Sequence, residues 1–118
     1  MIPAISIDGE MALTDINSRF MRFLEKLGPF GPGNMRPKFV SRNLSISGQP
    51  RLMGNGEHIR FIVGQNGRNY PAVGFKLSSH YEDLIRGVPV DIAYVVEVNQ
   101  WQGQSNIQLN VRDIQLSD

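Results

Sequence analysis

Two prolines and two glycines fall within the string Pro29-Phe30-Gly31-Pro32-Gly33-Asn34, so neither a continuing helix nor a central strand can pass through it. The chain is divided at that point. Apolar residues recur with helical period upstream, and short runs alternate apolar with polar residues downstream. The string therefore predicts a stiff elbow, with Phe30 buried as its anchor, that sets one helix against a sheet. The division this implies is residues 1–35 as an arm, helix and elbow, and residues 36–118 as the sheet domain.

Ile5, Ile7 and Met11 alternate around the turn-like Asp8-Gly9, which predicts a short strand or extended arm. Thr14 or Asp15 offers a side-chain oxygen to cap the helix that follows. Ile16, Phe20, Phe23, Leu24 and Leu27 mark one apolar helical face, with Met21 at its margin. Arg19, Arg22 and Lys26 lie on the other side, either solvated or facing an anion. Gly28 supplies the stop and Pro29 prevents continuation.

Beyond the elbow, Phe39 to Ser47 reads as a strand with Val40, Leu44 and Ile46 on one side. Gly48 and Pro50 predict a bulge or bend. Ile59, Phe61 and Val63 alternate with His58, Arg60 and Ile62 in a second strand. The Asn66-Gly67 step is a strong hairpin signal, because both residues accept positive φ. Tyr70 to Leu77 returns as a third strand. Ser78 or Ser79 then caps a short helix through Leu84 and Ile85, closed by Gly87. Val88 to Val98 follows, with Ile92, Tyr94, Val96 and Val98 on one face. A polar turn over Asn99 to Gln104 leads to a last strand carrying Ile107, Leu109, Val111 and Ile114. Three strands, a short helix and a two-strand hairpin give a mainly β chain on the plan of a five-stranded OB-fold Greek-key barrel.

Charge says what such a barrel is built to meet. Between Arg36 and Lys76 stand seven basic residues and the single acid Glu57, a net +6. The rest of the chain holds five basic and ten acidic residues, a net −5, from totals of 12 and 11. Segregation on this scale favours an anionic partner, nucleic acid first among them. Arginine outnumbers lysine nine to three, which suits bidentate phosphate contacts and stacking.

Catalysis finds little to work with. The chain has no cysteine, and its two histidines, His58 and His80, are separated by a hairpin. No serine sits in a nucleophile elbow, and Gly31-Pro32-Gly33 lacks the lysine of a phosphate-binding loop. Binding is better supplied. In a barrel of this plan the ligand lies across the second and third strands, between the loops that follow the first and the fourth. Those elements hold Arg51, His58, Arg60, Arg68, Tyr70, Lys76 and Trp101, and Arg36, Lys38 and Arg42 lead into them. Basic side chains would follow a nucleic-acid backbone while Tyr70 and Trp101 offer flat faces to unstacked bases, although Trp101 serves equally as an apolar cap on the barrel mouth. Tyr94 reads as core.

Leu24-Glu25-Lys26-Leu27-Gly28 with the elbow and Arg36-Pro37-Lys38-Phe39 resembles the segment leading into the C-terminal OB domain of the RecJ family of single-stranded-DNA-specific exonucleases. The order Ala72-Val73-Gly74-Phe75, Val90-Asp91-Ile92-Ala93-Tyr94, Glu97, Asn99, Trp101, Gly103, Leu109, Val111, Asp113, Ile114 extends the resemblance over nearly the whole chain. Met35 stands where the family usually places a proline. The family's Asp-His-His phosphoesterase motif is absent, and no Asp-His pair occurs in the sequence. The resemblance therefore implies a non-catalytic, single-stranded-DNA-binding part of a 5′-to-3′ exonuclease of DNA recombination and repair. A divalent metal, Mg or Mn, would belong to catalytic domains outside these residues, and no cofactor is expected within them. It implies single-stranded DNA and the parent's catalytic domains as partners, with single-stranded-DNA-binding protein as a further one. The alternative role is a clamp-closing or protein-interaction domain. No apolar run has the length of a membrane span, and a cytoplasmic location is the expectation.

Overall fold

The computed structural model describes residues 7–27 and 36–118, with the backbone but not the side chain of Trp101. The elbow, with the expected burial of Phe30 and the stop at Gly28, lies outside the described residues.

The elements run β1 (Gly9–Glu10), a 3₁₀ turn (Leu13–Asp15), α1 (Ser18–Lys26), β2 (Phe39–Met53), β3 (His58–Gln65) and β4 (Arg68–Gly74). A second 3₁₀ turn (Ser78–His80) leads into α2 (Tyr81–Ile85), followed by β5 (Val90–Trp101) and β6 (Gln104–Leu116). The sheet order is β1-β2-β3-β4-β6-β5, and pairing of β2 with β5 closes it into a barrel. β2, β3 and β4 form an antiparallel meander, β5 and β6 a hairpin, and β6 joins β4 in parallel. Five strands close the barrel, β1 is an extra one, and α2 falls between the third and fourth barrel strands. This is the OB-fold plan that the sequence predicts.

Turn chemistry accounts for the hairpins. Asn66 and Gly67 hold φ of 50° and 79°, and Gln102 and Gly103 hold 49° and 78°, pairs of left-handed residues that match the twist of antiparallel strands. The polar turn expected over Asn99 to Gln104 shrinks to its two central residues, and the strands run on either side of it.

β2 departs most from simple alternation. It pairs with β5 as far as Leu44 and with β3 from Ser45, and its register with β5 slips by one residue between Ser41 and Leu44. Asn43, at φ 58°, sits in this bulge; a short polar side chain tolerates the left-handed region better than most. The slip reverses the facing expected for Val40. Leu44 enters the main core and Ile46 packs on it, whereas Val40 joins Ala93 and Ile7 in a separate small cluster. A second irregularity, between Ser47 and Arg51, fulfils the bend expected at Gly48 and Pro50, and the strand continues to Met53 rather than stopping at Ser47.

The bulge at Asn43 is held by Asp91, a carboxylate only 5% exposed. Its Oδ1 accepts from the Asn43 N–H at 2.9 Å and the Ser117 hydroxyl at 2.6 Å, and its Oδ2 from Arg42 Nη1 at 3.2 Å. Burial alone would push this carboxyl up. The hydrogen bonds from Ser117 and Asn43 and the Arg42 charge outweigh it, leaving the pKa below its ordinary 3.8. A depressed carboxylate contributes stability above its unfolded pKa, and loses it as pH falls through the folded value. Asp91→Asn sets an amide N–H₂ against the Arg42 guanidinium. Urea titrations should show a loss of about 1–3 kcal/mol at neutral pH. As pH falls below 3.8 and through the depressed folded value, the variant and the parent should converge.

The core contains Leu44, Ile59, Phe61, Val63, Leu84, Ile92, Tyr94, Leu109 and Val111 among others, and α1 closes one end of it. Asn17, rather than Thr14 or Asp15, caps α1, its Oδ1 accepting from Phe20 N–H at 2.9 Å. Asp15 instead accepts from Ala12 N–H across the 3₁₀ turn. Ile16 and Leu24 are buried, Phe20 and Met21 pack on the core, and Phe20 meets Phe39 edge-on at 5.6 Å. Phe23 and Leu27, expected on the buried face, are 51% and 44% exposed. The barrel meets only a narrow stripe of the helix, and Phe23 lies about 60° round from Phe20 on the side away from Met21. Among the described residues the second 3₁₀ turn and α2 receive no side-chain cap, from Ser78 or Ser79 as expected or otherwise.

Candidate nucleic-acid interface

Alternation places His58, Arg60 and Ile62 on the outside of β3, against Ile59, Phe61 and Val63 in the core. One rung of this outer face can be followed around the barrel through the strand registers: Arg51, Arg60, Val73, Asn110, Val95. Arg51 and Arg60 are thus directly opposed on neighbouring strands, and both are exposed. Among the described residues no hydrogen bond or ion pair engages either side chain. Like charges facing each other across a sheet destabilise it by a few tenths of a kcal/mol to about 1 kcal/mol. An anion lying over the pair removes that penalty.

One position along, the rung changes character. Phe75 follows the last paired residue of β4 and is 53% exposed, its ring 5.3 Å from the His58 ring at an interplanar angle of 71°. His58 Nδ1 accepts from the Lys76 backbone N–H at 2.8 Å, which assigns the ring proton to Nε2 and fixes the ring beneath Phe75. Lys76 holds φ 61°, so the chain turns sharply there. Gly54, at φ 58°, sits close under the same histidine: a Cβ built on it would lie 2.6 Å from His58 Cδ2. Beside Phe75 across the parallel pair comes Arg112, the residue skipped where β6 slips register between Val111 and Asp113. Arg112 is exposed on the same face as Asn110, its Nε donating to Asn110 Oδ1 at 3.3 Å. Further along β5, Glu97 accepts from Gln108 and Asn110 and ends the cationic stretch. An exposed aromatic ring on a barrel face that also carries Arg51, Arg60, Lys76 and Arg112 can take an unstacked base beside cations for its phosphates.

The sequence-predicted residues divide accordingly. Arg51, His58, Arg60 and Lys76 come together on this face. Arg36 donates to the Val96 carbonyl at 2.9 Å, and Arg42 pairs with Glu10 at 2.6 Å and with Asp91 at 3.2 Å, so both are engaged in holding the barrel's far side. The Lys38 backbone exchanges hydrogen bonds with Asp8 there. Tyr70 points inward and is 8% exposed; its hydroxyl donates to the Ile16 carbonyl at 2.9 Å, so its ring offers no face to a base. Arg68 Nη1 donates to the same carbonyl at 3.3 Å and to the Tyr70 hydroxyl at 3.0 Å, at the α1 end of the barrel. The side chain of Trp101 lies outside the described residues. Phe75 and Arg112 were not among the predicted residues. Both were legible from alternation: Phe75 shares the parity of Val73, and Arg112 that of Asn110, opposite to the core residues Leu109 and Val111.

Among the described residues, no three of His, Asp and Glu gather to hold a metal ion. No helix among the described residues is long and apolar enough to cross a membrane.

The family model of the RecJ OB domain matches residues 7–113. The single-stranded-DNA-specific exonuclease RecJ of Bacillus subtilis is 22% identical over 117 residues, covering 99% of this chain and 15% of that protein. The chain therefore spans about one-seventh of the length of this curated relative. The fold is similar to that of RecJ from Thermus thermophilus in complex with Mn²⁺, with a TM-score of 0.67 and 20% identity over 97% of this chain and 16% of that one. It is also similar to the small single-stranded DNA-binding protein from Streptomyces coelicolor, with a TM-score of 0.53 and 13% identity over 70% of this chain and 94% of that one.

Proposed function

The chain belongs to the RecJ OB-domain family, and from that premise we propose that it binds single-stranded DNA for a RecJ-like 5′-to-3′ exonuclease of DNA recombination and repair. On this reading the barrel supplies grip, and metal-dependent cleavage belongs to other domains of a cytoplasmic parent protein. The observation that carries the reading is the opposed Arg51–Arg60 couple, without partners among the described residues, on the face that carries the half-exposed Phe75 ring. Arg51, Arg60, Lys76 and Arg112 take phosphates, and Phe75 takes one base. A duplex keeps its bases stacked on one another, so the stacking contact favours single strands.

Fluorescence anisotropy of a labelled oligothymidylate tests this at low and moderate salt. Affinity should fall as salt rises, with a log–log slope of about −0.7 for each phosphate neutralised. Absence of binding even at low salt would overturn the proposal. Phe75→Ala should weaken binding by about 1–3 kcal/mol, the usual worth of one stacked base, and Phe75→Tyr should restore it. Because the ring is half exposed, thermal melting of the two variants should differ little from the parent.

A second reading rests on Phe23 and Leu27, both largely exposed on α1. This flank would dock on the catalytic domains of a parent nuclease or on single-stranded-DNA-binding protein, closing a clamp around the strand. Binding of DNA by the isolated chain with Phe75-dependent affinity favours the first reading over this one.

A further inference from the structure

A cleft of about 490 Å³ opens between α1 and the barrel, at the opposite end of β4 from Phe75. Arg22, Arg68, Asn17 and Ser18 contribute its polar wall, Met21, Tyr70 and Ile107 its apolar floor, and Glu25 the one acid. Arg68 gives the cleft its character. Its Nη1 is tied to the Ile16 carbonyl and the Tyr70 hydroxyl, so the guanidinium is held in place. Its Nε and Nη2 have no partner among the described residues. A guanidinium fixed through one nitrogen, with its other N–H groups directed elsewhere, is pre-organised to donate to two oxygens of an oxyanion such as phosphate. Arg22 shares the cleft, and Arg19 and Lys26 are exposed on the same helix. Two arginines, Arg22 and Arg68, against the single acid Glu25 in the cleft make phosphate the complementary charge, and the Met21–Ile107 floor suits the face of a base.

Resting on the proposed single-strand binding by the outer face, we infer that this cleft is a second nucleotide subsite of the same strand, reached after it passes over the end of the barrel. Arg68 and Arg22 take a phosphate, and the apolar floor takes the adjoining base. Five residues of β4 separate the Arg60 rung at Val73 from Arg68, about 17 Å at strand spacing. The subsite therefore matters only to strands long enough to occupy both.

Labelled oligothymidylates of about 4 and about 12 nucleotides, the span reported for single OB barrels, separate the two sites. Arg60→Glu should weaken both oligonucleotides. Arg22→Glu, on an exposed helix face, should leave the short one unchanged, weaken the long one by about tenfold and lower its salt slope by about 0.7. Glu25→Gln should tighten the long one and not the short. If Arg22→Glu affects neither oligonucleotide, or both equally, the cleft is not a subsite, while the outer-face reading stands as long as Arg60→Glu still acts. If the parent chain binds neither, the outer-face reading fails and the cleft proposal with it. Thymidine monophosphate that competes for the cleft as well as the long oligonucleotide does would overturn a strand subsite in favour of a free-nucleotide site.

Discussion

Arg51→Glu together with Arg60→Glu is expected to lower affinity for an oligothymidylate by at least about 100-fold at moderate salt, or roughly 2.7 kcal/mol. The pair faces itself across β2 and β3, and each side chain is without a partner among the described residues. Reversal therefore removes two phosphate contacts and adds two repulsions. The single change Arg51→Glu is more diagnostic, because its two effects have opposite sign. It converts a repulsive cross-strand pair into an attractive one, so the fold should gain about 0.2–1 kcal/mol while DNA binding weakens. Urea unfolding and anisotropy on the same preparation measure both. A loss of stability with Arg51→Glu would mean that the opposed charges are relieved within the chain, and that no anion is needed to explain them. The expected opposition of the two effects is the usual signature of a site that costs its fold some stability.

Tyr94→Ala is expected to cost about 3–5 kcal/mol, a large share of the roughly 5–15 kcal/mol a domain holds. Tyr94 is fully buried, and its hydroxyl lies 2.7 Å from Ser41 Oγ, which itself donates to the Met11 carbonyl at 2.6 Å. The phenol thus donates to Ser41, and the chain of two bonds ties β5 through β2 to the segment after β1. Burial above all pushes the Tyr94 hydroxyl up to about 12 from its ordinary 10.0. The folded state keeps the proton longer than the unfolded one. Stability from this source is therefore intact below pH 10 and is lost as pH rises toward 12. Tyr94→Phe keeps the ring, costs about 0.5–1.5 kcal/mol at neutral pH, and should remove this part of the alkaline loss. Chemical unfolding at neutral and alkaline pH distinguishes the two variants.

The barrel was legible because its signals are local. Asn66-Gly67 sets one hairpin, and the alternation through Ile59, Phe61 and Val63 assigns the faces of β3 without reference to any other strand. What misled were the places where a single inserted residue changes parity. At Asn43 the slip puts Val40 outside the main core, and at Arg112 it brings Ile114 rather than Asp113 back into the core. Nothing in composition announces a bulge, since it is settled by how β2 meets β5 and how β5 meets β6. Tyr70 is a different case. Its alternation with Ala72 already placed it inside, but its chemistry as an aromatic beside arginines outweighed the count. Burial resolves it: the Ile16 carbonyl, presented just before α1, satisfies the hydroxyl and lets the ring serve as core. The helix cap falls at Asn17, two residues beyond Asp15 and three beyond Thr14, because Asp15 is used within the 3₁₀ turn that precedes α1.

β1 is only two residues long, yet it lies parallel to Phe39 and Val40 on the side of β2 that β5 leaves open. Its neighbours Asp8 and Met11 complete the pairing with Lys38 and Val40, and Glu10 draws Arg42 across it. Without it, the first half of β2 would present a row of unpaired amides and carbonyls beside an otherwise closed barrel. Such a row is a template for strand addition by another chain. The short arm thus covers an edge that strand addition could otherwise use.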